Sequence, residues 1–245
     1  MGACALVMAG GRGERMAPYA RAPKPLVPVA GVPLVVRNLI ALLRHGFTDL
    51  WVSIPAGSQQ LRTFLTGHCA TFVGRHGGRL ALLEEEIPLG TLGAAAGLAG
   101  RSDCLLVVNA DNLTDLDLAA FAAHHAGPPP AAMTIAVHTQ PIRVPWGQIE
   151  TSAGRVLAYR EKPRLPVQIC SGCYVLGAVA LGAMRRGQRC DAPDLVRALV
   201  ASGEEVRAYE HSALWMDVND AAAVVLAETL VREHRDAFPG PEGLS

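Results

Sequence analysis

Met1-Gly2-Ala3-Cys4-Ala5-Leu6-Val7-Met8-Ala9-Gly10-Gly11-Arg12-Gly13-Glu14-Arg15-Met16 joins a short apolar run to a glycine-rich turn. The apolar part, Ala3–Ala9, reads as a buried strand. The glycines after it let backbone N–H groups turn toward an anion, so the turn is a candidate to wrap phosphates. A dinucleotide-type G-x-G-x-x-G beginning at Gly11 and Gly13 would need a third glycine, and Met16 stands there. A Walker-type loop would need Gly-Lys-Ser/Thr after the glycines, and that triplet is missing. A tight turn without a ligand is the competing reading.

Outward from this turn, apolar runs alternate with helix-like stretches. Strands are expected at Ala3–Ala9, Leu50–Ile54, Leu80–Leu83, Leu105–Asn109 and Met133–His138. Helices are expected at Pro33–His45, Ser58–Leu65, Thr91–Gly100 and Leu116–Ala126, with Pro33 suited to a first turn and Gly46 to a stop. Such alternation predicts an α/β protein with a doubly wound, mostly parallel sheet, whose ligands sit beyond the carboxyl ends of the strands. After Gly127-Pro128-Pro129-Pro130 the pattern changes. Gly147–Glu150 and Val156–Glu161 flank the turn signal Ser152-Ala153-Gly154 and predict a hairpin. A strand at Val167–Leu176, a helix near Leu195–Ala201, a strand near Val206–Tyr209 and a closing helix from about Asp220 to Arg235 complete the reading. One domain over 1–245 is expected, in halves of about 1–130 and 131–245.

Composition narrows the class. Half of the residues are hydrophobic and 18% are charged, which is a folded chain. Lys plus Arg number 22 and Asp plus Glu number 22, so no basic excess points to nucleic acid. No apolar run approaches the roughly 18 residues of a membrane span. The N-terminus lacks the basic segment of a secretory leader, and Leu6 stands where a myristoylation site needs Ser or Thr. A cytoplasmic location is expected. Six cysteines show no regular framework. Cys170-Ser171-Gly172-Cys173 is a CxxC, but residues three apart on a strand face opposite sides and could not chelate one ion.

Several side chains stand out. Arg15 and Lys24 lie on the long loop leaving the first strand, and Pro23 and Pro25 restrict the backbone around Lys24. Asp111 directly follows an apolar strand. Asp217 follows a short apolar stretch and precedes a helix, where an ordinary helix cap is the competing reading. His124-His125 ends an amphipathic helix and reads as surface packing, and Asp115 and Asp117 read as caps.

The run Gly10 to Leu34 resembles the signature of the sugar-1-phosphate nucleotidyltransferase family, G-G-x-G-T-R-L-x-P-x-T-x-x-x-P-K-P-L-x-P-V-x-G-x-P-L. It matches Gly10, Gly11, Gly13, Arg15, Pro18, Pro23-Lys24-Pro25-Leu26, Pro28-Val29, Gly31 and Pro33-Leu34, and departs at Glu14, Met16 and Ala20. Later segments fall in the family's order. Glu84-Glu85-Glu86-Ile87-Pro88-Leu89-Gly90-Thr91 is similar to E-x-P-L-G-T, Val107–Asp111 to V-x-N-G-D, and Glu161-Lys162-Pro163 to E-K-P. Trp146-Gly147 stands for Tyr-Gly, Cys170-Ser171-Gly172 for N-A-G, and Trp215–Val218 for W-x-D-I, with Asn219-Asp220 for G-T.

The resemblance implies a Rossmann-like sheet with a smaller hairpin lid for the sugar. It implies Mg²⁺-dependent nucleotidyl transfer from an NTP to a sugar-1-phosphate with release of pyrophosphate. Arg15 and Lys24 would be catalytic. Gly10, Gly11, Gly13, Glu85, Gly90 and Asp111 would bind nucleotide, and Gly147, Glu161, Lys162 and Ser171 the sugar phosphate. Asp111 and Asp217 would hold the metal. The Glu84–Thr91 stretch is similar to that of mannose-1-phosphate guanylyltransferases, with Ile87 inserted, and a carboxylate suits the N1–H and N2–H donors of guanine, so GTP is expected. Thymidylyl, cytidylyl, uridylyl or adenylyl transfer, a non-catalytic regulatory nucleotide-sugar binder and a dinucleotide-dependent oxidoreductase are the alternatives. NTP and sugar-1-phosphate are the expected partners, with a homodimer left open. Only about ten residues follow the last expected helix, so no C-terminal β-helix of hexapeptide repeats and no acetyl transfer are expected.

Overall fold

The computed structural model describes residues 3–11 and 22–244. The opening run forms β1 (Ala3–Met8). Its Ala5, Leu6 and Val7 are fully buried, as a strand covered on both faces requires. A small hairpin of β2 (Pro28–Val29) and β3 (Val32–Pro33) leads into α1 (Leu34–Arg44). Then come β4 (Phe47–Pro55), α2 (Gln59–Phe64), α3 (Ala70–Arg75) and β5 (Arg79–Glu85), with a π turn at Leu65–Cys69 joining the two helices. The first half ends with β6 (Cys104–Asn109), β7 (Asn112–Thr114) and α4 (Leu118–His125). The second half contains β8 (Met133–Arg143), β9 (Gln148–Ser152), β10 (Arg155–Arg160) and β11 (Arg164–Gly177). It closes with α5 (Ala178–Ala183), α6 (Ala192–Ala201), β12 (Val206–Glu210), β13 (Trp215–Asp217) and α7 (Ala221–Glu233).

Seven strands form the main sheet in the order β12-β8-β11-β6-β1-β4-β5. The pairs β1/β4, β1/β6, β4/β5 and β8/β12 are parallel, while β11 runs antiparallel to both β6 and β8. The sheet is therefore mostly parallel, and it runs without a break from the first half into the second. From β1 the chain adds β4 and β5 on one side and β6 on the other. That reversal opens a crevice at the carboxyl ends of β1 and β6, where such sheets bind ligands.

Strand alternation sorts the core into two layers. Ala5, Val7, Val52 and Val108 pack with Val36, Leu39 and Ile40 of α1 and with Phe121 of α4. Leu6, Trp51 and Val107 pack on the other face with Leu181 of α5 and Leu195 and Leu199 of α6. A third cluster joins Val29, Leu34, Leu113 and Val218 to Ala227 and Val231 of α7. Phe121 is fully buried, and truncating such a side chain to alanine costs about 3–5 kcal/mol.

Two local expectations need correction. Thr91–Gly100 is a 3₁₀ helix over Gly93–Leu98 rather than an α-helix. Its start is pinned by Leu92 N donating to Cys190 O at 2.9 Å, and Gly93 and Gly97 weaken α-helix formation. His125 is buried rather than on the surface, with Nδ1 2.8 Å from Thr134 Oγ1, and burial pushes its pKa down. The β9–β10 hairpin forms where expected, with φ of 46° at Ala153 and 77° at Gly154 as a primed two-residue turn requires. Among the described residues no helix is long and apolar enough to cross a membrane.

Candidate active site

Gly10 and Gly11 follow β1 directly into the crevice. Ala9 N is held by Ser53 O at 3.1 Å, and Ala110 N by Met8 O at 3.1 Å, so the ends of β1, β4 and β6 are laced together. A Cβ built at Gly10 would collide with Glu85 Oε1, which explains a glycine there. Glu85 ends β5 and is 6% exposed. Its Oε2 accepts from Leu89 N at 3.0 Å, whereas Oε1 is buried without a hydrogen-bond partner among the described residues. Gly10, Gly11, Glu85, Gly90 and Asp111 all line one open cleft of about 540 Å³. A more enclosed cavity of about 240 Å³ lies beneath α1 between Arg37 and Phe238, and none of these residues reaches it. The chemistry therefore singles out the open cleft.

The two carboxylates come together through a short strand pair. β7 and β13 are antiparallel with Asn112 opposite Asp217, and Val218 N donates to Asp111 O at 3.0 Å. Lys24 Nζ lies 2.5 Å from Asp111 Oδ2 and also donates to Asn219 Oδ1. Asn219 Nδ2 in turn donates to Asp217 Oδ2. Lys24, Asp111, Asn219 and Asp217 thus form one continuous polar chain, with the Lys24 and Asp111 side chains 15% and 27% exposed. Asp217 does not cap the helix after it. Asp220 does, accepting from Ala223 N at 2.8 Å. Carboxylate oxygens from neighbouring strands make a hard donor set, and the ammonium lying on Asp111 shows that cationic charge is accommodated there. This fits Mg²⁺.

The expected sugar-side residues are placed differently. Gly147, Glu161 and Lys162 lie on the ribbon that carries β9 and β10, and none of them lines the cleft. Glu161 accepts from the Tyr159 hydroxyl at 2.8 Å, and Lys162 Nζ is 3.9 Å from Glu161. Ser171 is fully buried on β11. Its Oγ is 2.9 Å from His138 Nδ1 and 2.8 Å from His211 Nε2. Burial pushes both imidazole pKa values down, which favours neutral rings. The carbonyl of Ser171 accepts from Asn112 Nδ2 at 2.6 Å and Trp215 Nε1 at 2.8 Å. Ser171 is thus a hub for the two strands that carry Asp111 and Asp217, with its hydroxyl engaged inside the protein.

Cys170 is exposed while Cys173 is buried, and burial pushes the Cys173 thiol up to about 12. Asp117 caps α4 by accepting from Ala120 N at 2.8 Å, but Asp115 accepts from Leu214 N instead and ties down the loop before β13. Gly13 and Arg15 lie outside the described residues. The sequence reading missed Asn109, Arg189 and Asp191, which also line the cleft. Asn109 is the last residue of the strand expected at Leu105–Asn109 and could have been found. Arg189 and Asp191 sit about a hundred residues from the loop they touch, in a stretch with no local pattern.

The family model described as nucleotidyl transferase matches residues 4–233. A mannose-1-phosphate guanylyltransferase of Mycobacterium tuberculosis is 30% identical over 232 residues, covering 87% of this chain and 60% of that protein. The chain therefore spans about 60% of the length of the guanylyltransferases it matches. An N-acetylmuramate alpha-1-phosphate uridylyltransferase of Neisseria meningitidis is 28% identical, covering 92% of this chain and 97% of that one. Among solved structures, HddC from Yersinia pseudotuberculosis superposes with a TM-score of 0.69 at 19% identity, covering 93% of this chain and 99% of the other, a likeness of fold.

Proposed function

This chain belongs to the nucleotidyl transferase family, and from that premise we propose that it transfers a nucleotidyl group from an NTP to a sugar-1-phosphate and releases pyrophosphate. The observation that carries this reading is the cleft at the β1/β6 crevice. It gathers Gly10, Gly11, Glu85, Gly90 and Asp111, with Lys24 seated on Asp111.

A phosphate oxygen of the sugar-1-phosphate attacks the α-phosphorus in line. The new P–O bond forms as the bond to the β-phosphate oxygen breaks, and the electron pair leaves with pyrophosphate. The nucleophile is already an anion, so no side chain has to take a proton. Catalysis of this kind is positioning and charge neutralisation. Lys24 reaches the Asp111 end of the cleft and neutralises charge at the α-phosphate; Arg15, by its place in the family motif, meets the leaving pyrophosphate. Asp111 and Asp217 would hold Mg²⁺. When bound, the metal supplies further charge neutralisation on the phosphates. Lys162 and Glu161 serve the acceptor from the ribbon, and Ser171 acts through its carbonyl by fixing Trp215. The cytoplasm, where NTPs are made available, is the proposed compartment, and a homodimer is compatible with the reading.

GTP is the first choice of donor. Glu85 Oε1 is a buried acceptor in need of a donor, and guanine offers N1–H and N2–H. UTP is the second, because the relative matched over almost its full length is a uridylyltransferase. The test is pyrophosphate release in a grid of GTP, ATP, CTP, UTP and dTTP against mannose-, glucose-, heptose- and N-acetylmuramate-1-phosphates. Release with GTP or UTP is expected. Silence across the whole grid would leave a nucleotide-sugar-binding protein in place of an enzyme.

A further inference from the structure

The cleft holds a cation that the reaction above does not use. Arg189 lines it together with Glu85 and Gly90. The backbone around Arg189 is strapped to the Leu89–Leu92 loop. Cys190 N donates to Leu89 O at 2.8 Å, Leu92 N to Cys190 O at 2.9 Å, and Ala192 N to Thr91 Oγ1 at 2.6 Å. The side chain is oriented too. Nε donates to Asp191 Oδ2 at 2.9 Å, Nη2 lies 2.9 Å from the same oxygen, and Asp191 Oδ1 accepts from Thr91 N at 3.1 Å. Asp191 thus takes one edge of the guanidinium, and Nη1 makes no hydrogen bond among the described residues.

The same loop is held at its other end by Glu85, through Leu89 N. The cleft therefore holds two unspent groups of opposite kind, one against Gly10 and one joined through Asp191 to the Gly90 side. One is the buried, unpartnered Oε1 of Glu85, an acceptor. The other is the free edge of the Arg189 guanidinium, a donor. Both belong to the lining of the same cleft.

We infer that Arg189 reads the exocyclic keto oxygen of the nucleotide base and so excludes the amino bases. Guanine offers O6 to Arg189 beside N1–H and N2–H for Glu85, and uracil offers O4 beside N3–H. Adenine and cytosine reverse the pattern. Each places an amino donor against the guanidinium and a bare ring nitrogen against the carboxylate, leaving polar groups unpaired at both contacts. Arginine is suited to this task because its fork can engage a keto oxygen and the adjacent N7 of a purine together. The inference rests on the proposed nucleotide cleft and assigns a residue to base choice within it.

The experiment uses the full chain as wild type, Arg189→Ala and Arg189→Lys. Binding of GDP, ADP, UDP and CDP is measured by calorimetry, and kcat/KM for the four triphosphates by pyrophosphate release. Arg189 is 69% exposed, so its replacement leaves the core intact. Wild type should favour GTP over ATP and UTP over CTP. Arg189→Ala should shrink the GTP:ATP ratio by roughly 10- to 100-fold, mainly through weaker GTP. Arg189→Lys should recover only part, since a single ammonium lacks the fork. A wild type that favours GTP with the ratio unchanged in Arg189→Ala overturns the role of Arg189 and leaves the reaction class standing. Keto-selective binding that depends on Arg189, without turnover, upholds the inference and sinks the catalytic proposal. A preference for ATP or CTP, or no nucleotide binding at all, overturns the inference itself.

Discussion

Lys24 opens a single 3₁₀ turn, Lys24–Leu26, with Pro23 before it and Pro25 inside it. The turn closes through Leu26 N to Pro23 O at 2.8 Å, so the ammonium is delivered to Asp111 from a stiff base. Lys24→Ala should therefore keep the fold and lose about 10²–10³ in turnover, the usual cost of removing one preorganised charge stabiliser. Near-native turnover in the purified variant would sink the catalytic assignment. On the proposed shared-metal reading, Asp111→Asn and Asp217→Asn would each remove an anionic ligand from a hard cation and should raise the Mg²⁺ concentration needed for half-maximal activity. Titration of activity against Mg²⁺ reads this directly, and an unchanged midpoint in both variants speaks against a shared metal. Both aspartates were legible in the sequence because each directly follows an apolar stretch. Arg189 was not, because what makes it a candidate is a loop joined to it only in space.

The element that organises the second half is β11. Its pairing with β8 shifts register between Cys170 and Tyr174, and Gly172 sits there at a φ of 68°. A Cβ at this position would lie 2.7 Å from Asn109 Nδ2 and 2.8 Å from Asn112 Nδ2, so the irregularity is packed directly against the strand ends of the site. Gly172→Ala should lose about 1–2 kcal/mol from left-handed backbone, and about 1–3 kcal/mol more from overpacking. Ser171→Ala, one residue earlier, should cost about 1–3 kcal/mol by leaving imidazole nitrogens of His138 and His211 unpaired. Urea unfolding of the two variants checks both figures, and a Ser171→Ala midpoint equal to wild type would show that the hydroxyl's contacts with the two histidines add nothing to stability. Val167–Leu176 was recognisable as a strand from its apolar run, but its bulge was not. β7 and β13 escaped because three-residue strands are too short to show a period.

For the molecule as a whole, four histidines share one electrostatic direction. His45, His125, His138 and His211 all have pKa values lowered first by burial. A histidine whose folded pKa is below its unfolded value near 6.5 binds fewer protons folded than unfolded. Its neutral form is fully accommodated above that value, and stability is lost as pH falls through the folded pKa. The melting temperature should therefore be level between about pH 7 and 8 and fall progressively as pH drops below about 6.5. Melts at constant ionic strength across this range test it, and a flat profile down to pH 5.5 would contradict it.

The sequence by itself determined the sheet and marked the residues gathered at its ligand end. Both are carried by local patterns: the apolar period of each strand, the glycines that must follow β1, and carboxylates at strand ends. Only the tertiary structure decided which carboxylate meets Lys24, that Asn219 bridges the pair, and that Ser171 works from inside the core. It alone brought Arg189 and Glu85 into the lining of one cleft. Those relations depend on strand pairings and loop contacts between residues about 40 to 200 positions apart, and a linear pattern carries no signal for which distant partner closes a hydrogen bond.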